Sequence, residues 1–122
     1  MAPKTPHAEE APRTLHLTLQ AALDRGPPPP GRLSIPVFEH RSLEALVYQP
    51  EDPDRQTPHK RDEVYVVARG QAQFSDGQAR RAVAPGDFIF VAAWQAHRFE
   101  DASPDFTCWV FFYGEEIPPG PP

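Results

Sequence analysis

The chain has few cysteines, no long apolar run and no secretory signal pattern, and each of these absences excludes a class of protein. It has one cysteine, Cys108, in 122 residues, which excludes an intrachain disulfide and fits a reducing compartment. Its longest apolar stretch, Cys108–Tyr113, is far too short to cross a bilayer, which needs about 20 residues. The first twelve residues contain no apolar run of the kind that a secretory signal requires. These absences predict a cytoplasmic protein without a membrane partner.

Basic clusters are also missing. The formal net charge is -5, and the basic runs do not exceed the pairs Lys60-Arg61 and Arg80-Arg81. A nucleic-acid partner needs a basic stripe or patch, so nucleic acid is excluded as an expected partner.

Proline, in contrast, is abundant and unevenly placed. Most of the 17 prolines lie near the two ends, including four in succession at 27–30. Such segments lack the apolar residues that offset backbone ordering. We therefore divide the chain into a proline-rich N-terminal arm at 1–32, one β-barrel domain at 33–114 and a proline-rich tail at 115–122.

Within the arm, residues 13–25 are the one segment with helical spacing. Leu15, Leu19 and Leu23 fall on one stripe, Thr14 is a plausible N-cap, and Gly26 ends the segment. The alternation of residues 15–19 also fits an edge strand. The prolines at 27–30 are read as a stiff spacer, with a ligand for a proline-binding groove as the alternative.

From residue 33 onward the pattern is one of short strands and turns. Asp76-Gly77 is a strong hairpin signal, and Pro85-Gly86-Asp87 marks another turn. Roughly seven or eight strands without intervening helices predict an all-β sandwich or barrel. The predicted strands are 33–39, 43–48, 63–69, 71–74, 79–83, 88–91, 96–100 and 106–113.

Two clusters within these strands carry residues that can bind a metal. In the first, His59 and Glu63 are four residues apart. A straight strand would separate them by roughly 13 Å at about 3.3 Å per residue. The two side chains can share one metal only if residues 60–62 form a bend. The second cluster runs from Gly86 through Trp94 and His97 to Asp101.

Together the two clusters resemble the paired motifs of the cupin family. Thr57, His59, Glu63 and Gly70 stand at the positions of the first motif, which has two histidines, a glutamate and a glycine. Gly86, Ala92-Ala93-Trp94, His97 and Asp101 stand at those of the second, which has a glycine, a Pro-x-Gly turn, a histidine and an asparagine. The resemblance implies an all-β, cupin-type jelly-roll β-barrel with a short N-terminal helix or arm.

The resemblance also implies one divalent metal, Fe, Mn, Ni or Zn, bound by His59, Glu63 and His97. Thr57 replaces one usual histidine ligand, and we expect water in its place. Two imidazoles and one carboxylate still form a complete facial triad with open positions. The alternative is that these side chains make only surface contacts and bind no metal.

The resemblance is compatible with three classes of function. One is a metal-dependent enzyme, dioxygenase- or isomerase-like, acting on a small molecule, whose catalytic residues are unknown. A second is a non-catalytic small-molecule binder or sensor with a degenerate site, and a third is a structural dimer. A homodimer is expected in each case. Tyr65 is two residues after Glu63 on the same predicted strand, so it faces inward if Glu63 does. It is therefore a candidate hydrogen-bond donor to a bound ligand.

Overall fold

The computed structural model describes residues 12–120, which form one short helix and eight strands. The elements are α1 (Leu19–Leu23), β1 (Ser34–His40), β2 (Leu43–Tyr48), β3 (Asp62–Arg69), β4 (Ala72–Ser75), β5 (Arg80–Val83), β6 (Phe88–Val91), β7 (Arg98–Glu100) and β8 (Thr107–Tyr113). The predicted all-β class is confirmed.

The strands form two antiparallel sheets. The larger has the order β1-β2-β8-β3-β6, and the smaller has the order β5-β4-β7. Side chains of both sheets meet in one apolar cluster, in which Tyr65 and Val67 of β3 lie with Ala72 of β4 and Phe99 of β7. The core therefore fills the space between the sheets of a jelly-roll barrel.

The predicted strands agree with the observed ones to within two residues at each end. The largest difference is at β7, which begins at Arg98 because Gln95, Ala96 and His97 belong to the preceding irregular turn. The Asp-Gly signal is also confirmed: Gly77 lies between β4 and β5 with a φ of 90°, and Asp76 Oδ1 accepts hydrogen bonds from the backbone N–H groups of Gln78 and Ala79.

The helix is shorter than the predicted segment 13–25, and its N-cap is Thr18 rather than Thr14. Thr18 Oγ1 accepts a hydrogen bond from the Ala21 backbone N–H at 3.1 Å. Residues 15–18 are irregular, so the alternative edge strand does not form. The capping hydroxyl of Thr18 stabilises a start one turn later.

The outer face of the larger sheet is apolar as well. Val47 of β2 and Ala22 of α1 are buried together in a second cluster, which Trp109 and Phe111 of β8 border. Along β8 it is Cys108 and Val110 that face the barrel interior, with Phe112 packed beside them. The face of β8 that carries Cys108 and Val110 therefore lines the barrel interior.

Parts of the predicted arm and tail contact the barrel. Ala22 is fully buried, and the Ile117 backbone N–H donates to the Lys60 carbonyl at 2.8 Å. Residues 1–11, the start of the arm with His7, lie outside the described residues, as do 121–122. The boundaries at 32 and 114 therefore remain predictions. Within residues 12–120, no helix has the length and apolar character that crossing a membrane requires.

Candidate metal site

The first motif is brought together by a bend just before β3. His59 precedes bends at Lys60 and Arg61, and Glu63 is the second residue of the strand. The bend brings His59 Nε2 to 3.6 Å from Glu63 Oε1, instead of the separation that an extended chain would give. The chain therefore has the bend that His59 and Glu63 need in order to share one metal.

The second motif delivers His97 from the turn between β6 and β7. Trp94 adopts a positive φ of 69° at the position where the family motif has glycine. Its backbone N–H donates to the His59 carbonyl at 2.7 Å, and its indole N–H donates to the Ile117 carbonyl at 2.6 Å. These bonds tie the second motif to the first and hold a conformation that costs a non-glycine residue about 1 kcal/mol or more.

The three predicted ligands meet at one point. His97 Nε2 lies 2.8 Å from Glu63 Oε1, and the ligand atoms of His59, Glu63 and His97 all lie within 4.8 Å of one another. Two ligands at a right angle on a metal with bonds of about 2.1 Å are about 3.0 Å apart. The observed spacing therefore suits adjacent positions around one ion.

Glu63 shows why a cation suits this position. Its side chain is 1% exposed, and within residues 12–120 neither carboxylate oxygen has a hydrogen-bond partner. The two imidazoles face it, with His97 Nε2 at 2.8 Å and His59 Nε2 at 3.6 Å from Oε1. A buried carboxylate that accepts no well-formed hydrogen bond is costly, and a divalent ion shared with these two rings would offset that cost. The residues present therefore fit the metal that the family resemblance implies.

The two imidazoles have different electrostatic surroundings. Burial lowers the pKa of His59, with only partial opposition from the Glu63 carboxylate. Burial also works to lower the pKa of His97, but the Glu63 carboxylate and the Gln95 carbonyl outweigh it and raise the pKa. Because the Gln95 carbonyl lies 2.8 Å from Nδ1 and can only accept, Nδ1 carries a proton. In the neutral ring the lone pair is then on Nε2, which faces Glu63.

Tyr65 lies beside these ligands, on the same face of β3 as Glu63. Its hydroxyl is 3.0 Å from His97 Nε2 and donates to Gln56 Oε1 at 2.7 Å. Burial and the charge of Glu63 raise the pKa of Tyr65 well above its ordinary value, so the phenol stays protonated. The site therefore contains a neutral hydroxyl donor.

A cavity of about 40 Å³ adjoins the site. It has room for an ion with one or two waters, since one water needs about 10–15 Å³. Its lining residues are Leu33, Ser34, Tyr48, Gln56, His59, Glu63, Tyr65, Val110 and Phe112. A second cavity of about 300 Å³, whose lining includes Asp54, Gln56 and His97, has room for an organic ligand.

Sequence reasoning missed Gln56 and Asp54, which lie between the predicted strands 43–48 and 63–69. Asp54 is 9% exposed and accepts hydrogen bonds from the Phe99 backbone N–H at 2.9 Å and from Tyr48 OH. Gln56 Oε1 lies 3.3 Å from His59 Nε2. Thr57, at the position of the family's missing histidine, is exposed. The sequence contains no local signal for this arrangement, because a polar loop residue is normally solvated.

Asp62 and Arg98, each next to a predicted ligand in the sequence, bond to other parts of the protein. Asp62 Oδ1 accepts a hydrogen bond from the Ala93 backbone N–H at 2.9 Å, and the exposed Arg98 pairs with Glu100 at 3.0 Å. His16 and His40 are exposed and are not part of the metal-site group.

Comparison with known families agrees with this architecture. The cupin domain family matches residues 46–113, more than half of the chain. The protein belongs to the cupin family.

Individual relatives add support for the fold. An uncharacterised protein of Streptomyces coelicolor is 41% identical over 59 residues, which are 48% of this chain and 56% of that relative. The match thus spans little more than half the length of the curated relative. A Klebsiella pneumoniae protein with a double-stranded β-helix domain superposes with a TM-score of 0.58 at 14% identity, covering 84% of this chain and 90% of that one.

A Ralstonia eutropha protein described as a candidate mannose-6-phosphate isomerase also superposes with a TM-score of 0.58. It is 24% identical and covers 82% of this chain and 97% of that one. At these identities the likeness to solved structures shows the fold alone.

Proposed function

We propose that the protein binds one divalent metal ion through His59, Glu63 and His97 and uses it to bind a small molecule. The observation that carries this proposal is the buried carboxylate of Glu63, which lacks hydrogen-bond partners within the described residues and faces two imidazole nitrogens. Two imidazoles and a carboxylate are donors that Fe(II), Mn(II), Ni(II) and Zn(II) accept.

The chemistry available at such a site favours an enzyme as the first candidate. A bound divalent ion would supply Lewis acidity or, for iron or manganese, redox chemistry. Glu63 would neutralise charge, and the Gln95 carbonyl would hold the His97 ring in the orientation that presents Nε2. Tyr65, protonated and 3.0 Å from His97 Nε2, would donate a hydrogen bond to a ligand oxygen by turning its O–H away from Gln56 Oε1. We propose a dioxygenase- or isomerase-like reaction on a small molecule.

A non-catalytic binder or sensor is the second candidate. Thr57, exposed at the position where the family's first motif has a histidine ligand, favours it, because a degenerate ligand set is less suited to catalysis. Oxygen consumption with catechols or diketones would support a dioxygenase. Calorimetric binding of such compounds without turnover would support the binder.

Cytoplasmic location and a homodimer are further parts of this proposal. Cys108 is a free buried thiol, as expected in a reducing compartment. Phe88 and Phe90 of β6 are 68% and 52% exposed, which supports a second copy on the outer face of the larger sheet.

Elemental analysis of protein purified without an affinity tag tests the metal site. We expect about one equivalent of metal per chain. The double variant His59→Ala/His97→Ala should lose it, because only one of three ligands remains. His40→Ala, which alters an exposed histidine, is the matched control. Stoichiometric metal in the double variant would show that the site lies elsewhere.

A further inference from the structure

The side-chain carbonyl of Gln56 lies at the edge of the His-Glu-His group. Its Oε1 is 3.3 Å from His59 Nε2 and 2.7 Å from the Tyr65 hydroxyl. The first distance lies in the same range as the separations of 2.8 and 3.6 Å among the three predicted ligands. Gln56 Oε1 is therefore spaced from His59 as a neighbouring ligand would be.

The orientation of this amide is set by its other end. Gln56 Nε2 donates to Asp54 Oδ2 at 2.7 Å, and a carboxylate accepts only from the amide nitrogen. The oxygen must then face the site. Asp54 is itself held by Tyr48 OH and by the Phe99 backbone N–H, so the orienting group is anchored to β2 and β7.

The oxygen also keeps the capacity to bind a cation. A carbonyl oxygen has two lone pairs: the Tyr65 hydroxyl donates to one, and the other faces His59 Nε2, which must lose any proton before it binds a metal. Thr57, which stands where the family motif has a histidine, is exposed.

We propose that Gln56 Oε1, oriented by Asp54, is the fourth protein ligand of the metal, in the role that we expected water to fill beside Thr57. This inference rests on the proposed function, because it assumes that His59, Glu63 and His97 bind a metal. It extends the facial triad to a set of four neutral and anionic donors, and it leaves fewer open positions for a small molecule.

Titration of the metal-free protein with Co(II), in competition with a chelator, tests the proposal. Gln56→Ala should weaken Co(II) binding by about tenfold or more, since even partners outside the ligand set typically contribute about 10–100-fold. It should also change the visible absorption of bound Co(II), which reports the number and type of ligands. Thr57→Ala, next to Gln56 and exposed, is the control and should stay within about twofold of wild type.

The Gln56→Glu variant tests whether Gln56 is itself a metal ligand or only supports Asp54. A carboxylate at this position keeps the oxygen at the same reach but removes the donor to Asp54. If Gln56 is a ligand, Gln56→Glu binds Co(II) at least as tightly as wild type. Melting curves of the metal-free variants show whether each is folded.

Three outcomes would count against the inference in different ways. Unchanged affinity in Gln56→Ala would show that the oxygen is not a ligand. Equal weakening in Gln56→Ala and Gln56→Glu would show that Gln56 acts only through Asp54. If wild-type protein bound no Co(II), the proposed function would fail and this inference with it.

Discussion

At the scale of single residues, Glu63 is the most unusual side chain in the barrel. It is buried on β3 beside His59 and His97, and its two oxygens have no hydrogen-bond partners in the described part of the chain. Burying a charged group costs several kcal/mol even after the protein relaxes. A residue of this kind lowers stability in the metal-free state and favours the binding of a cation that compensates its charge.

Replacing Glu63 by glutamine should therefore separate stability from metal binding. We expect metal-free Glu63→Gln to melt no lower than wild type, because the neutral amide is less costly to bury. Saturating metal should stabilise wild type by about 3 kcal/mol at a hundredfold excess over Kd, and should stabilise the variant little. Thermal melts with and without Zn(II) measure both effects. Glu39→Gln, at an exposed position, is the control, and an equal metal-induced shift in Glu63→Gln would contradict the assignment.

Gly70 is a second residue whose identity the fold requires. Its φ is +80°, and a Cβ there would lie 2.6 Å from the Cα of Phe106. The first motif's glycine thus permits both the turn after β3 and the close approach of the segment that leads into β8.

Gly70→Ala should destabilise the protein by more than the backbone strain alone. Gly77 has a similar φ of +90° but open space around it, so Gly77→Ala isolates the strain, about 1 kcal/mol. Gly70→Ala adds a clash with backbone, and we expect its loss to exceed that of Gly77→Ala by at least about 1–2 kcal/mol. Urea unfolding of both variants measures the difference. Equal losses would mean that the contact with Phe106 relaxes freely.

At the scale of elements, α1 covers one half of the outer face of the larger sheet. Ala22 contacts the cluster that contains Val37 of β1 and Val47 of β2, and Arg25 donates to the Val37 carbonyl. The helix has five residues and is too short to be stable alone. Its stability therefore comes from packing on the sheet, and part of the sheet's stability comes from it.

Two N-terminal truncations should differ sharply for this reason. Deletion of residues 1–12 removes almost no large apolar side chain and should leave the melting temperature nearly unchanged. Deletion of residues 1–25 also removes α1 and exposes Val47 and its neighbours. Because each buried apolar side chain contributes about 1.5–3 kcal/mol, the loss should reach several kcal/mol. Thermal melts of both truncations decide the matter, and equal melting would place α1 outside the cooperative unit.

At the scale of the whole molecule, the other half of the same outer face carries apolar side chains in a row across three strands. Val64 of β3 is paired with Phe90 of β6 and with Phe111 of β8, and Val66 is paired with Phe88. β6 is the edge strand of the sheet. A row of aromatic and branched side chains beside a free edge is a surface that a second copy can cover.

The double variant Phe88→Ser/Phe90→Ser should shift the protein from dimer to monomer. Both side chains are more than half exposed in the single chain, so their replacement costs little stability in the monomer. Sedimentation velocity measures the change, and metal content should be unaffected because these residues point away from the site. Ile117→Ser, at another exposed apolar side chain, is the control. Monomeric wild-type protein would contradict the proposed homodimer, and a variant that stays dimeric would place the interface elsewhere.

Local patterns in the sequence were sufficient for much of this protein. Alternation, β-branched runs and the turn signals at Asp76-Gly77 and Pro85-Gly86 predict the strands to within two residues, because strand and turn preferences act over a few neighbours. The resemblance to the paired cupin motifs also predicted the group of His59, Glu63 and His97 that the structure brings together. The helix was predicted less well, since capping at Thr18 rather than Thr14 depends on where the sheet lets it pack.

The tertiary structure alone decided what surrounds that group. Asp54 meets Phe99 across 45 positions of chain, and Gln56 meets Tyr65 because a loop folds over the end of the barrel. It also decided that Cys108 and Val110, rather than Trp109 and Phe111, face the interior. Both faces of β8 are apolar, so alternation by itself cannot distinguish them. Only the pairing of β8 between β2 and β3, and the packing of α1 on the far side, makes one face the core of the barrel.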